Sequence, residues 1–287
     1  MELERWVAFA TDPSGGNPAG VALADSRPSV ELMQQVAADV GFSETAFLVP
    51  LDPGRWWVRY FSPVAEVPFC GHATIASALA LAHRNAALSS LVLETSVGEV
   101  PVAIHRAGGA MTAVLTSPAA AVKPLGDEDL DVLLSTFGWD RSVLDPALPP
   151  AVGHGGADHP VLALRDRATL ASMRYAFGAL RTMMEHRGWT TIQLVYRQDA
   201  RTFDVRNPFP VGGVVEDPAT GAAAAALGAY LREAGQLEAD GLFTVRQGVE
   251  IGRPSVLEVD ASGTAGVRVG GAGVRLPEEL AIPPVRS

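Results

Sequence analysis

The stretch Pro68-Phe69-Cys70-Gly71-His72-Ala73-Thr74-Ile75-Ala76-Ser77-Ala78-Leu79-Ala80 sets the only cysteine of the chain two residues before a histidine, at the mouth of a run that stays free of charge as far as Ala82. The run reads as a helix, and a helix apolar all round is buried on every side. A second such run follows far downstream, where Ala219 to Leu231 contains the five alanines Ala222 to Ala226. Placing Pro63 on Pro210 lays Pro63-Val64-Ala65-Glu66-Val67-Pro68-Phe69-Cys70 over Pro210-Val211-Gly212-Gly213-Val214-Val215-Glu216-Asp217. Each segment leads into its apolar helix, and the offset of 147 is close to half the chain. This spacing predicts duplication of one domain. The boundary is expected near Ser117-Pro118, giving an N-terminal lobe of residues 1–118 and a C-terminal lobe of 119–287, with the last strand and tail able to return to the first lobe.

Around these helices the chain reads as short elements, because 29 glycines and 21 prolines mark many tight turns. Arg5 to Ala10 reads as a strand, Ala19 to Ala24 as extended or helical, and Ser29 as the N-cap of a helix that Gly41 ends. Phe42-Ser43-Glu44 is read as a connector before the strand Thr45 to Val49, and Trp56 to Phe61 as the next strand. Leu91 to Leu93, Gly98 to His105 and Met111 to Leu115 form an antiparallel meander. In the second half, Asp127 to Phe137 and Thr169 to Arg187 read as mostly helical, and Val161 to Leu164, Thr191 to Tyr196, Phe243 to Arg246 and Val256 to Val259 as strands.

Composition excludes several classes of function. With 48% hydrophobic residues the chain can bury a large core, and 22 basic against 32 acidic residues give a net charge of -10 without a basic patch for nucleic acid. One cysteine permits no intrachain disulfide and no CxxC zinc pair, which suits a reducing, cytoplasmic setting. The start, MELERWVAFATD, is not expected to be a signal peptide, and no apolar run is long enough to span a bilayer. Gly15-Gly16-Asn17-Pro18-Ala19-Gly20 lacks the Lys-Ser/Thr of a phosphate loop, and Gly270-Gly271-Ala272-Gly273 lacks a dinucleotide fingerprint; both are read as turns. His154 and His159 flank a loop without further ligands, so no metal is expected.

Two buried helices near a lobe interface would aim unsatisfied N–H groups and partial positive charge into a cleft, and Gly71 and Gly221 would let backbone amides approach a carboxylate there. Each polar candidate also has a plain structural reading. Asp217 opens Asp-Pro-Ala-Thr, an ideal helix start with Pro218 at the first helical position. Cys70 is either a space-filling thiol or one activated by a helix N-terminus. His72 is either a core histidine or a neutral acid/base. Glu44 is either a solvated turn residue or a base.

Taken in order, Gly16-Asn17-Pro18-Ala19-Gly20, Ser43-Glu44-Thr45-Ala46-Phe47, Cys70-Gly71-His72-Ala73-Thr74 and Glu216-Asp217-Pro218-Ala219-Thr220-Gly221 resemble the phenazine-biosynthesis PhzF-like isomerases, of the diaminopimelate-epimerase-like fold. Arg206, Gln247-Gly248 and Gly252-Arg253-Pro254-Ser255 resemble them too, and the likeness spans nearly the whole chain. It implies an α+β fold of two pseudo-symmetric lobes, each a mixed β-sheet curled into a barrel around a central apolar helix. It also implies a homodimer and a cofactor-free proton shift on a small carboxylic acid in the cleft, with Glu44, His72 and Asp217 in the catalytic roles. Asn17, Cys70, Gly71, Thr74, Gly221 and Ala222 fall at the substrate. In related epimerases two cysteines oppose each other, and the resemblance puts Cys70 in the first of those places and Asp217 in the second. One departure is Ala222, where the family usually carries serine.

Overall fold

The structure is a computed structural model and describes residues 1–264 and 266–277. Strands of the first half are β1 (Glu2–Ala8), β2 (Asn17–Leu23), β3 (Glu44–Asp52), β4 (Arg55–Phe61), β5 (Glu66–Val67), β6 (Ser90–Thr95), β7 (Gly98–Ala107) and β8 (Ala110–Thr116). Those of the second are β9 (Ala121–Pro124), β10 (Ala151–His154), β11 (Asp158–Leu164), β12 (Gln193–Arg197), β13 (Thr202–Pro208), β14 (Glu216–Asp217), β15 (Leu242–Gln247), β16 (Ser255–Asp260) and β17 (Arg268–Arg275). The α-helices are α1 (Val30–Val40), α2 (Gly71–Arg84), α3 (Asp127–Thr136), α4 (Arg167–Ala171), α5 (Phe177–Arg187) and α6 (Gly221–Glu233).

Strand pairing closes the first lobe into a ring that runs β1, β2, β3, β4, β6, β7, β8, β17 and back to β1. The sheet is mixed: β2/β3 and β4/β6 are parallel, and parallel neighbours need a crossover. Helix α1 makes the first crossover, with Ser29 accepting from the Leu32 amide and Gly41 turning left-handed at its end, as the sequence predicts. Helix α2 makes the second, and every residue from Gly71 to Ala82 is buried. An eight-strand barrel leaves little interior room, so a helix fits inside only if its side chains are small. The alanines of α2 meet that demand.

The second lobe repeats the scheme from β9 through β13, β15 and β16 to β17, with parallel pairs β11/β12 and β13/β15. Helix α6 makes the later crossover and is buried from Gly221 to Leu231. Strand β17 serves both lobes, since Arg268 to Gly270 pair with β16 and Gly273 to Arg275 with β1. Gly270 to Gly273 therefore lie within a strand, not a turn, and a Cβ on Gly273 would lie 2.4 Å from Leu79 of α2. The tail expected to follow lies outside the described residues. Among those described, no helix is long and apolar enough to cross a membrane.

Three local readings change. Glu44 is the first residue of β3 rather than part of a connector, whereas Ala19 to Ala24 takes the extended of its two expected forms, mostly within β2. The helical stretch Thr169 to Arg187 breaks between α4 and α5. Helix α6 starts at Gly221 with Thr220 as N-cap, so Asp217 does not cap it; Asp217 sits in β14 opposite Asn207. The duplication also has a different register. Phe47 pairs with Arg59 as Leu194 pairs with Arg206, but the helices begin at Gly71 and Gly221. The turn after Pro210 is thus three residues longer than the one after Pro63, and Glu66-Val67-Pro68-Phe69-Cys70-Gly71 matches Glu216-Asp217-Pro218-Ala219-Thr220-Gly221. The residue opposite Cys70 is Thr220, and Asp217 stands where the first lobe has Val67.

Candidate active site

The two central helices meet end to end. A Cβ on Gly71 would lie 2.9 Å from Cα of Gly221, and one on Gly221 would lie 3.2 Å from Cα of Gly71. The close approach that these glycines permit is to each other. The first intrahelical bonds are Thr74 N–H to Cys70 O and Ala224 N–H to Thr220 O, so the amides before them, which lack intrahelical acceptors, converge at the junction. Phe9, with a φ of 66, is the only described non-glycine residue in the left-handed region. Its ring reaches within 3.5 Å of a Cβ position on Gly221. Strain of this kind persists where surroundings over-determine it, and here β17 and β16 hold the Phe9 backbone through Ala272 O and the Val256 amide.

Across this junction runs a chain of polar contacts. Asn17, carried to the start of β2 by the Gly15-Gly16 turn, donates through Nδ2 to Asp217 Oδ1 at 2.7 Å and to Ala219 O at 3.0 Å, and lies 3.1 Å from His72 Nδ1. Asp217 and Ala219 take both amide hydrogens of Asn17, so the tautomer is set by the other ring nitrogen, which faces a carboxylate: the ring proton belongs on Nε2 and Nδ1 is left as an acceptor. Nε2 is 3.3 Å from Glu44 Oε2 and 3.4 Å from Ser43 Oγ. Cys70 Sγ lies 3.3 Å from His72 Nδ1. On the other side Thr220 donates its hydroxyl to Asp217 Oδ2 at 2.6 Å, and Gln247 Nε2 donates to Asp217 O at 2.7 Å and Thr220 Oγ1 at 3.0 Å. Ser43 is half-buried and the others are buried: Asn17 is 1% exposed, His72 3%, Asp217 5% and Glu44 6%.

Burial sets the protonation states. It lowers His72 to about 3, so the imidazole is neutral. It raises Glu44 above the ordinary carboxylate range, against hydrogen bonds from Ser43 and Cys70. Asp217 is pushed up to about 8, first by burial and then by the charge of Glu44, with Thr220 and Asn17 pulling the other way. Cys70 is raised by burial and by the same carboxylates, so it is a protonated thiol. The activation that a helix N-terminus would give it is overridden.

A cleft of about 440 Å³ opens above this chain, with Asn17, Ser43 and Asp217 among its lining residues. Pro63 and Val64 line it from the first lobe, and Val211 to Val214 from the matching turn of the second. Glu44, His72 and Cys70 lie behind that surface. Thr74 is deeper still, bonded to Tyr60 at 2.6 Å and to Cys70 O at 2.8 Å. Ala222 follows Gly221 in the first turn of α6 and is 9% exposed. Donor atoms of Glu44, Cys70 and His72 fall within 4.8 Å of one another, close enough to share an ion.

Arg59 and Arg206 are ion-paired, with Glu66 and Glu216 respectively, which gives both a structural role. Arg253, noted in the sequence only for its motif, donates to Gly16 O at 2.8 Å and to Gly15 O, and so fastens the turn that presents Asn17 to the second lobe. Ser43, Thr220 and Gln247 were each visible only as neighbours within motifs. Their contact with the site depends on pairings across the two halves that spacing along the chain does not record.

The family described as "Phenazine biosynthesis-like protein" matches residues 7–278. The chain belongs to this family. It is 34% identical over 274 residues to the trans-2,3-dihydro-3-hydroxyanthranilate isomerase of Pseudomonas chlororaphis, covering 93% of this chain and 94% of that one. It is 33% identical to an uncharacterized isomerase of Deinococcus radiodurans, over 92% and 87% of the two chains. Among solved structures it is similar to a predicted epimerase from Pseudomonas aeruginosa, with TM-score 0.85, 27% identity and 96% of each chain covered. A probable proline racemase from Agrobacterium radiobacter shares the fold, with TM-score 0.66 at 14% identity over 98% and 93% of the chains. The family and its named relatives make this chain an isomerase.

Proposed function

We propose that this isomerase needs no cofactor and shifts a proton within a small carboxylic acid held between the lobes. The observation that carries this reading is the chain of contacts from Glu44 through His72 and Asn17 to Asp217, which joins two buried carboxyls from opposite lobes through a neutral imidazole and an amide. Glu44, as carboxylate, takes a proton from a substrate carbon, and the released electron pair moves into the neighbouring unsaturated system. Charge that builds on substrate oxygen is met by the acid form of Asp217 and by the converging amides of α2 and α6. The proton held by Glu44 then returns to a second carbon, so substrate and product have the same atoms. His72 fixes Glu44 through Nε2–H and stays neutral throughout.

The Pseudomonas relatives are named for isomerising trans-2,3-dihydro-3-hydroxyanthranilate, and a small unsaturated carboxylate of that kind is the substrate class assigned here. Ala222 lacks the hydroxyl usual in the family, which argues for a compound other than that one. A base role for Cys70 has less support, because its thiol is protonated and Thr220 stands opposite it. A homodimer in the cytoplasm belongs to the same reading.

The test is incubation in heavy water with a panel of small amino, hydroxy and unsaturated acids, including that dihydro compound, read by NMR for deuterium at carbon. Uptake or positional isomerisation that disappears in Glu44→Gln supports the reading. Full turnover in Glu44→Gln would remove Glu44 as the base.

A further inference from the structure

The motif residues Gln247-Gly248 and Gly252-Arg253-Pro254-Ser255 lie at the tip of the hairpin formed by β15 and β16, where Gln247 pairs with Ser255. The repeat shows what a barrel needs at this place. In the first lobe the matching hairpin, β6 with β7, pairs Thr95 with Gly98 and turns through Ser96 and Val97 alone. Ser96 Oγ then bonds Pro68 O at 2.8 Å, within its own lobe. A short turn therefore closes the barrel. The second lobe puts Gly248 to Pro254 in its place, and this longer tip crosses to the other lobe.

The tip is rooted in the second lobe. Glu250 is ion-paired with Arg167, which also holds Asp204 at 2.9 Å. Gly248, at a φ of 76, brings the chain so close that a Cβ there would lie 2.3 Å from Arg253 O and 2.7 Å from Pro218 O, which only glycine tolerates. From this base the tip holds both halves of the polar chain. Gln247 donates to Asp217 O at 2.7 Å, and its Oε1 accepts from the Thr220 amide at 3.1 Å. Arg253 reaches the other way, with Nε on Gly16 O at 2.8 Å, and Nη2 on Gly15 O and, at 3.4 Å, on Pro13 O. The Gly16 N–H returns a bond to Pro254 O at 3.1 Å, and Asn17 is the next residue.

Arg253 is half-buried, and no carboxylate pairs with it among the described residues. Burial alone pulls its guanidinium below the usual arginine range. A cation taken from water without a counter-charge is costly unless its donors are met, and here backbone carbonyls of the other lobe meet them. An arginine so placed holds a loop.

We propose that this tip is a strut between the lobes and that Arg253 is a positioning residue for the proton shift, because it fixes the Gly15-Gly16 turn where Asn17 meets both Asp217 and His72. This role rests on the isomerase reading above for the reaction, but its first readout needs neither a substrate nor a choice of base.

The test compares the full chain with Arg253→Met, which keeps the apolar stem and removes the donors, and with Arg253→Lys. Solvent exchange of the Asn17 side-chain amide is read by NMR, with the signal identified by its loss in Asn17→Ala. It should speed up about tenfold in Arg253→Met, the low end for loss of a hydrogen bond from a charged group. Arg253→Lys should recover part of this, and the buried side-chain amide of Asn207 should be unchanged in both variants. For a substrate found in the heavy-water panel, kcat should fall about tenfold in Arg253→Met at unchanged KM, since Arg253 positions Asn17 and does not line the cleft. Unchanged Asn17 exchange overturns the proposal, as does equal acceleration at Asn207, the sign of general loosening, or a wild-type kcat in Arg253→Met. If Glu44→Gln keeps turnover while Arg253→Met still frees Asn17 and lowers kcat, the base assignment fails and the strut stands.

Discussion

At the floor of the first barrel Glu44 stands three residues before Phe47, the partner of Arg59; at the matching place in the second barrel Thr191 stands three residues before Leu194, the partner of Arg206. Around Glu44 the neighbours open onto the cleft. Around Thr191 they are sealed: His159 Nδ1 bonds its hydroxyl at 2.8 Å and Asn207 Nδ2 reaches it at 3.3 Å, and His159 and Asn207 are 0% exposed. The helix mouths differ in the same sense, with Cys70 and His72 on one side and Thr220 and Ala222 on the other. Only at the short strand before the helix is the order reversed, where Asp217 stands in the place of Val67. One backbone scheme used twice thus yields an asymmetric site, and Asn17 joins its halves.

The strongest way to break the comparison is to cut that link. Asn17→Ala leaves both barrels intact but separates Asp217 from His72, and turnover should fall by about a hundredfold, as for loss of a positioned acid/base group. Steady-state kinetics beside an unchanged circular dichroism spectrum would check this. A smaller effect, on stability, comes from the seam: Gly71→Ala forces a methyl against Gly221 and should cost about 1–3 kcal/mol in urea unfolding, as overpacking does. An unchanged midpoint would mean that the helix ends do not abut.

Titration sharpens the comparison further. His72 and His159, one in each lobe, are both lowered by burial to about 3 from 6.5. Between those values the unfolded chain binds more protons, so both histidines make stability fall as pH drops through 6.5 toward 3. Asp217, raised from 3.8 to about 8, acts in the opposite sense: its contribution is complete below about 4 and is lost as pH rises through 8. Asp217→Asn should therefore flatten the alkaline decline, and His159→Gln should weaken the acid one, in thermal melts taken across pH. Thr220→Val removes a hydrogen bond that lowers Asp217 and should move the alkaline limb of activity upward. The smallest effect is expected for Cys70→Ala, a change in turnover below about tenfold, since loss of a true base would cost about a hundredfold or more.

Much of this architecture was legible in the chain. Two long runs without a charge, His72 to Ala82 and Ala219 to Leu231, read as interior helices, and their spacing announces a repeat. The motifs around Asn17, Glu44, His72 and Asp217 lie far apart in sequence, yet the barrels bring these four residues to one junction. Three things were not legible. The longer turn after Pro210 shifts the register, so counting from proline put Asp217 opposite Cys70 when Thr220 is there. Local capping rules made Asp217 a helix start, because they cannot see that Asn207 claims its backbone and Asn17 its side chain. A helix N-terminus argued for a reactive Cys70, and only burial beside Glu44 and Asp217 reverses that sign.

The most direct test of the division between the lobes is solvent deuterium uptake by one substrate, measured in parallel for Glu44→Gln and Thr191→Val. The account predicts uptake abolished in Glu44→Gln and retained within a few-fold of wild type in Thr191→Val, whatever the second change does to stability. Uptake that survives in Glu44→Gln but is lost in a folded Thr191→Val protein would place the proton transfer in the wrong lobe and contradict the account.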